Sequence, residues 1–197
     1  DPSPRLEQWI SVQHPIPEHL KERMTALRLE LRDGRDRWNE QELLAHFIYP
    51  FLYEVHFRGP GFDYYANRPL RAEVNGYELS GVVDWMAATS GYDPQAPYFF
   101  LHEYKRFKMG AADPMGQLLS AMLAARHLNL PHEPMYGCYV AGRAWTFVLL
   151  HASTYATSQA FDAVDAVELD IIWSILQETK KRIAERVAAQ LAAEKAK

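Results

Sequence analysis

Two apolar segments of the chain, residues 81–86 and 98–105, carry charged side chains where buried strands normally have none. Asp84 interrupts the first segment, and Glu103 and Lys105 lie at the end of the second. Side chains alternate between the two faces of a strand, so Glu103 and Lys105 are expected on the same face. Ionised groups occupy such positions when they are paired or bind a metal. The pattern predicts two neighbouring strands that bring two acids and a lysine together.

The same alternation predicts which apolar side chains share a face with these charges. A buried apolar face is what makes the three charges unusual. The expected neighbours are Phe99 and Leu101 beside Glu103 and Lys105, and Val82 and Met86 beside Asp84.

The length and composition predict one globular domain. The chain has 197 residues, of which 48% are hydrophobic and 13% aromatic. This is enough for a single domain with a core and is atypical of a disordered chain. The single cysteine, Cys138, excludes an internal disulfide framework and fits a reducing cytosol, so a cytoplasmic protein is expected.

The charge balance limits the classes of partner. The net charge is −4, from 21 basic and 25 acidic side chains, which argues against a protein that coats nucleic acid by charge alone. It leaves room for an enzyme that contacts phosphates locally. No apolar run approaches the roughly 20 residues that span a bilayer, and no signal peptide opens the sequence, so no membrane partner is expected.

The N-terminal third predicts an arm followed by two helices. Residues 1–17 contain four prolines and predict an extended arm. Apolar residues at helical spacing then predict a helix that stops at Gly34. A second helix is expected to begin after Asn39, with Glu42 completing a capping box, and Pro50 is expected to kink or shorten it.

The rest of the chain alternates strands and helices. Asn75-Gly76 predicts a hairpin whose second strand continues through Asp84. Residues 98–105 predict the next strand, and Asp113-Pro114 predicts the start of a helix that ends near Leu128. A hairpin over 136–151 and a long C-terminal helix from about Val164 follow, with an apolar stripe of Ile172, Ile175, Leu176, Ile183, Val187 and Leu191. This order predicts an α/β fold with a mixed sheet flanked by helices.

At these residues the chain resembles the PD-(D/E)XK nuclease superfamily, which has the restriction-endonuclease-like fold. The resemblance covers about residues 39–151. It lies in four ordered features: an acid that begins a helix before the sheet, an aspartate in the second strand of a hairpin, an E-x-K motif that ends the next strand, and a glutamine in the following helix. These are Glu40, Asp84, Glu103-x-Lys105 and Gln117.

The opening helix with Glu40 also resembles the nuclease domains of type I restriction enzymes. Two positions depart from the family pattern, since Val83 stands where the family name has proline and Ala121 stands where one branch has an aromatic residue. The resemblance implies a single nuclease-like domain over 1–197, with an arm and helix at 1–37, a core with the active site at 38–152 and a C-terminal helix at 164–197.

The resemblance implies a site that uses Mg²⁺, or Mn²⁺, to hydrolyse phosphodiester bonds. A divalent ion on hard oxygen ligands supplies an activated water and neutralises charge. Lys105 would orient that water or stabilise negative charge, and Gln117 would orient the lysine or contact substrate. The implied metal ligands are Asp84, Glu103, the Tyr104 backbone carbonyl and Glu40.

DNA rather than RNA is the expected substrate. Four basic residues near the predicted site are candidates to hold flanking phosphates, although each is about as well explained as scattered solubilising charge. They are Arg68, Arg71, Arg106 and Lys108.

Other interpretations remain open at this point. Glu103 and Lys105 also fit a solvated ion pair near a strand end, and Glu40 fits the ordinary preference for acids in a first helical turn. The chain also fits a nuclease-like module with little or no hydrolysis, serving binding or assembly in a defence or DNA-processing complex. The C-terminal helix suits a second copy or a partner protein, and equally suits packing on its own sheet.

Overall fold

The computed structural model describes residues 3–34, 37–105, 113–129 and 133–195. The helices are α1 (Pro4–Ile10), α2 (Glu18–Gly34), α3 (Glu40–Leu43), α4 (Tyr49–Val55), α5 (Pro114–Leu128) and α6 (Ala166–Lys195), and a π-helical turn over Leu44–Ile48 joins α3 to α4. The strands are β1 (Phe62–Val74), β2 (Tyr77–Thr89), β3 (Gln95–Lys105), β4 (Met135–Ala141), β5 (Ala144–His151), β6 (Thr154–Thr157) and β7 (Phe161–Asp162).

These strands form one mixed sheet. Its order is β1-β2-β3-β4-β5-β6, and β7 pairs with β5 beside β6. Strands β3 and β4 are parallel, while the other pairs are antiparallel. A parallel pair needs a crossover connection, which contains α5. The α/β prediction with a mixed sheet and flanking helices is therefore confirmed.

The two faces of the sheet are buried by different helices. One apolar cluster lies between the sheet and α5, and it includes Met86, Leu101 and Met122. The other lies between the sheet and the remaining helices, and it includes Trp9 and Trp145. Strand β3 lies near the middle of the sheet and contributes side chains to both clusters, so charges at its end lie next to a large core.

The predicted hairpin is confirmed as β1 and β2. Asn75 and Gly76 have φ of 52° and 79°, the left-handed values that a tight two-residue hairpin turn requires. The pairing of β2 with β3 shifts at Ala88. Because of this shift, Phe99 packs in the cluster opposite that of Leu101, so the predicted alignment of these two side chains is wrong.

Residues 4–10 are helical where the prolines predicted an arm, whereas residues 11–17 contain neither helix nor strand. Pro4 occupies the first turn of α1, where its missing N–H removes no helical hydrogen bond. Trp9 is fully buried, and its indole N–H donates to the Thr179 hydroxyl of α6 at 2.9 Å. The buried indole attaches this segment to the core. Because the contact is with a helix about 170 residues away, local sequence patterns do not predict it.

The helix boundaries at Gly34 and Asn39 match the predictions. Asn39 and Glu42 form the predicted capping box. On α6 the predicted stripe packs on the chain's own sheet, apart from Leu191, which is 40% exposed. The α6 stripe is therefore occupied within the chain. Across the described ranges, the helices are too short or too polar for any of them to span a membrane.

Candidate active site

Asp84 lies where β2 separates from β3. The paired residues of the two strands end with Trp85 opposite His102. Beyond this point the Asp84 carboxylate Oδ2 accepts the backbone N–H of Tyr104 at 2.8 Å. The Asp84 side chain thus takes the place of a backbone acceptor and provides the last hydrogen bond between the two strands.

Strand β2 changes from exposed to buried at Val83, the residue before Asp84. Met86 is fully buried, as predicted, but Val82 is 60% exposed, so the prediction that it lies on the buried face is wrong. Asp84 itself is half-buried. The carboxylate is therefore held by the core on one side and open to a ligand on the other.

Glu103 and Lys105 meet at the end of β3, on the side predicted from strand alternation. Glu103 is only 7% exposed, and the Lys105 Nζ lies 2.8 Å from its Oε1. The same Nζ lies 4.0 Å from Oε1 of Glu40, the first residue of α3. Three acids (Asp84, Glu103 and Glu40) thus surround one lysine.

The backbone of Tyr104 contributes a further oxygen to this group. The N–H and C=O of one strand residue project to the same side. Because the Tyr104 N–H points to Asp84, its carbonyl also faces the Asp84 side. The next carbonyl, that of Lys105, faces the other way and accepts the N–H of Gly142.

Burial and crowded charge shift the pKa of the central pair. Burial raises the pKa of Glu103, and the charges of Asp84 and Glu40 add to that rise, while Lys105 opposes it. Burial acts to lower the pKa of Lys105, but the three surrounding carboxylates together raise it above its ordinary value. Lys105 is therefore a cation at neutral pH, and Glu103 gains a proton more readily than an exposed glutamate.

The oxygen atoms of this group fit a hard divalent ion. Mg²⁺ typically takes one or two carboxylates and fills its remaining positions with water or substrate oxygens. Asp84, Glu103 and the Tyr104 carbonyl offer such a set, with Glu40 farther out. In the part of the chain that is described, no three His, Cys, Asp or Glu side chains converge as a ready-made metal cage. An ion here would compete with Lys105 for Glu103.

Gln117 lies on the first turn of α5 and shares a pocket wall with Glu103. This position favours contact with a ligand in that pocket. Its side chain is exposed.

Two of the four predicted phosphate contacts, Arg68 and Arg71, lie among the described residues. Arg68 pairs with Val83 in the sheet, next to Asp84, and is half-buried. Arg71 lies farther along the hairpin and forms an ion pair with Glu78. Arg106 and Lys108 lie outside the described residues. Of the two described arginines, Arg68 is therefore the one whose strand partner adjoins Asp84.

Tyr49 is a site residue that sequence reasoning missed. Burial raises the pKa of the Tyr49 hydroxyl, and the Asp84 charge raises it further, while hydrogen bonding to Asn67 acts in the opposite direction. Asn67 lies between Ala66 and Arg68, which pair with Trp85 and Val83, so it stands opposite Asp84. Tyr49 and Asn67 therefore border the Asp84 carboxylate.

The π-helical turn explains why Glu40 and Tyr49 reach the same region. Residues nine positions apart lie about 180° apart around a regular α-helix. A π-helical turn accommodates one extra residue, so the angular separation falls to about 80°. The turn over Leu44–Ile48 lies between the two residues. The feature of the sequence that could have indicated this turn is Pro50, which interrupts the helical hydrogen bonds nearby.

No protein-family model matches the chain, and no curated protein matches its sequence.

Proposed function

We propose that the protein is a Mg²⁺-dependent nuclease of the PD-(D/E)XK type that hydrolyses phosphodiester bonds of nucleic acid, with DNA as the expected substrate. The observation that carries this proposal is the convergence of Asp84, Glu103 and Lys105 at the end of one strand pair. The order of a Glu40 helix, an Asp84 strand, an E-x-K strand and a Gln117 helix supports the proposed restriction-endonuclease-like fold.

Each acid has a distinct part in the proposed reaction. A divalent ion held by the acidic oxygens supplies an activated water and charge neutralisation when bound. Asp84 is oriented by the Tyr104 amide and is already placed to receive a ligand, whereas Glu103 would exchange its contact with Lys105 for the ion. Preorganised charge of this kind is the main source of stabilisation in many active sites.

The charge on Lys105 decides its role. A lysine whose pKa is raised keeps its proton and is a poor general base. The surrounding carboxylates raise the pKa of Lys105 despite the opposing effect of its burial. We therefore assign Lys105 to the stabilisation of negative charge on the phosphoryl oxygens rather than to proton abstraction from water.

The test is a cleavage assay with linear, circular and single-stranded DNA and with RNA, in Mg²⁺, Mn²⁺ or EDTA. Cleavage is expected with Mg²⁺ or Mn²⁺ and not with EDTA, and Lys105→Ala is expected to be slower by on the order of 10²–10³-fold. Lys21→Ala, at an exposed lysine of α2, is the matched control for charge. Equal behaviour of wild type and Lys105→Ala under every condition would contradict catalysis.

A second candidate is a nuclease-like module for binding or assembly. The observation that favours it is the direct Lys105–Glu103 pair, since the lysine occupies an oxygen that a metal ion needs. Calorimetric titration with Mn²⁺ separates the two candidates. An enzyme binds Mn²⁺ and loses it in Asp84→Asn, whereas a module without catalysis shows no binding in either protein.

A further inference from the structure

A pocket of about 510 Å³ opens beside Glu103, between the β1–β2 hairpin and α5. Its volume lies within the range of roughly 300–1,000 Å³ that is typical of small-molecule sites. Glu103 forms part of its wall, so a group bound in the pocket lies next to the proposed reaction centre. The pocket is thus placed to hold the part of a substrate that adjoins the scissile phosphate.

The wall of the pocket does not suit a phosphate. Among the described residues that line it, the ionisable side chains are Glu103 and Asp113, and both are acidic. A phosphate would be repelled by these carboxylates, and the nearby Lys105 ammonium is already paired with Glu103. The described part of the wall therefore favours a group with little or no negative charge.

The wall does suit a neutral group with polar edges. The hydroxyl of Ser120 and the amide of Gln117 provide both donors and acceptors. Apolar contact is available from Leu70 and Val83, whose side chains lie on the α5 side of the sheet. Nucleobases have this combination of an uncharged apolar face and an edge of donors and acceptors.

From this chemistry we infer that the pocket receives one unpaired nucleobase beside the scissile phosphate; the inference rests on the proposed nuclease function. A base within a duplex is stacked and paired, so it reaches a pocket only after it leaves the stack. The preferred substrate is therefore single-stranded DNA, or DNA with an unpaired nucleotide at the cleavage site. Gln117 and Ser120 are the side chains that contact the base edge.

Gly81 provides a way to fill the pocket without disturbing the fold. It pairs with Leu70, whose side chain is buried on the α5 side, and paired residues share a face. A Cβ added at Gly81 meets no atom within 4 Å, and its φ is not positive. The leucine side chain of Gly81→Leu is thus expected to extend into the pocket, and the backbone at this position can carry a side chain without strain. Ala184→Leu, at an exposed position of α6, is the matched control.

The first experiment measures binding without cleavage. Lys105→Ala protein in Mg²⁺ is titrated with fluorescent oligodeoxythymidine and with a fully abasic oligonucleotide of equal length and charge. The expected result is at least about tenfold weaker binding of the abasic strand, with the difference removed by Gly81→Leu and kept by Ala184→Leu. Equal binding of the two strands by the Lys105→Ala protein overturns the inference, whether or not the protein is an enzyme.

The second experiment measures cleavage by otherwise wild-type protein. Single-stranded DNA is expected to be cut at least about tenfold faster than a blunt duplex, and Gly81→Leu is expected to reduce the single-strand rate by about the same factor. Equal rates on both substrates in both proteins overturn the pocket inference and leave the nuclease proposal intact. If thermal unfolding shows that Gly81→Leu is destabilised, Ser120→Leu on α5 fills the pocket from the opposite wall.

Discussion

The Asp84 carboxylate accepts the backbone N–H of Tyr104 at 2.8 Å, at the point where β2 and β3 stop pairing. This hydrogen bond does two things at once. It fixes the rotamer of the acid, and it leaves the Tyr104 carbonyl facing the same side. A side chain that closes a strand pair in this way contributes to the fold and to the candidate site together.

Two substitutions at Asp84 separate these contributions. In Asp84→Asn the amide oxygen still accepts the Tyr104 N–H, so stability is expected to change by less than about 1 kcal/mol. The negative charge is lost, so Mn²⁺ binding and cleavage are expected to disappear. In Asp84→Ala the Tyr104 amide also loses its partner, and about 1–3 kcal/mol of stability is expected to be lost as well.

Urea unfolding and Mn²⁺ titration measure the two effects. Glu73→Gln removes one acid from an exposed position of β1 and is expected to leave both unchanged. If Asp84→Asn binds Mn²⁺ as wild type does, Asp84 is not a metal ligand.

Lys105→Ala is expected to lose cleavage but not metal binding. Removing the ammonium frees the Glu103 oxygen with which it is paired, so Mn²⁺ binding at pH 8 is expected to equal or exceed that of wild type. Lys105 also opposes the rise in the pKa of Glu103, so without it Mn²⁺ binding is expected to require a higher pH. Titration calorimetry from pH 5 to pH 8 measures both effects, and weaker binding at pH 8 would show that Lys105 is needed to build the site.

The parts of the site that were predicted from the sequence depend on local rules. Strand alternation placed Glu103 and Lys105 together, and Asn75-Gly76 fixed the hairpin that carries Asp84. Each signal lies within a few residues of the structure that it determines. The same holds for the capping box at Asn39, which places Glu40 in the first turn of α3.

The parts that were not predicted depend on distant contacts. Ser3 caps α1 locally, but the packing of Trp9 on α6 holds this helix on the core, and the chain carries no nearby signal of that partner. Tyr49 reaches Asp84 because a π-helical turn rotates α4 relative to α3. A regular periodicity of 3.6 residues places Tyr49 on the helix face opposite Glu40, so it gives no indication that the two residues lie near one site.

Tyr49→Phe tests this unpredicted residue. The ring stays in its half-buried position while the hydroxyl beside Asp84 and Asn67 is removed. Because groups that orient a metal ligand commonly affect metal affinity or activity, about a tenfold loss in one of them is expected. Cleavage rate and Mn²⁺ affinity are the measurements. Tyr53→Phe, on the same helix but 68% exposed, is the control, and equal effects of the two variants would exclude a positioning role.

The raised pKa of Glu103 predicts opposite effects of pH on stability and on metal binding. Burial raises its pKa in the folded protein above the ordinary value of 4.5, so the folded state binds the proton more tightly than the unfolded state. The contribution of Glu103 to stability is therefore largest below pH 4.5 and falls as the pH rises through the folded pKa. Metal binding needs the ionised form and is expected to increase over the same window.

Glu103→Gln removes this titration and is the variant that tests it. Without metal, its free energy of unfolding at pH 8 is expected to be at least that of wild type, because the amide is a permanent substitute for the protonated acid. Denaturant unfolding at pH 4 and pH 8 gives the comparison. If Glu103→Gln is less stable than wild type at pH 8 but not at pH 4, the predicted pH dependence of the Glu103 contribution to stability has the wrong sign.

His102 gives the protein a separate dependence on pH. Its ring is fully buried among Trp85, Phe100 and Trp145, and neither ring nitrogen has a hydrogen-bond partner among the described residues. Burial lowers the pKa of His102 from 6.5 to about 3. The folded protein keeps the ring neutral, whereas the unfolded chain takes up a proton below pH 6.5, so the free energy of unfolding is expected to fall between these values by up to about 1.4 kcal/mol per pH unit.

His102→Phe is expected to remove this part of the acid sensitivity. The aromatic contacts are kept, and the unpartnered polar atoms are replaced by apolar ones, which can be neutral or stabilising at pH 7. Urea unfolding at pH 7, 6, 5 and 4 measures the difference between the two proteins, with His19→Gln at an exposed position of α2 as the control. The wild type is expected to lose stability relative to His102→Phe at each step below pH 6.5. Parallel curves would mean that the folded protein accepts a proton at His102, and that the ring is not held neutral by its surroundings.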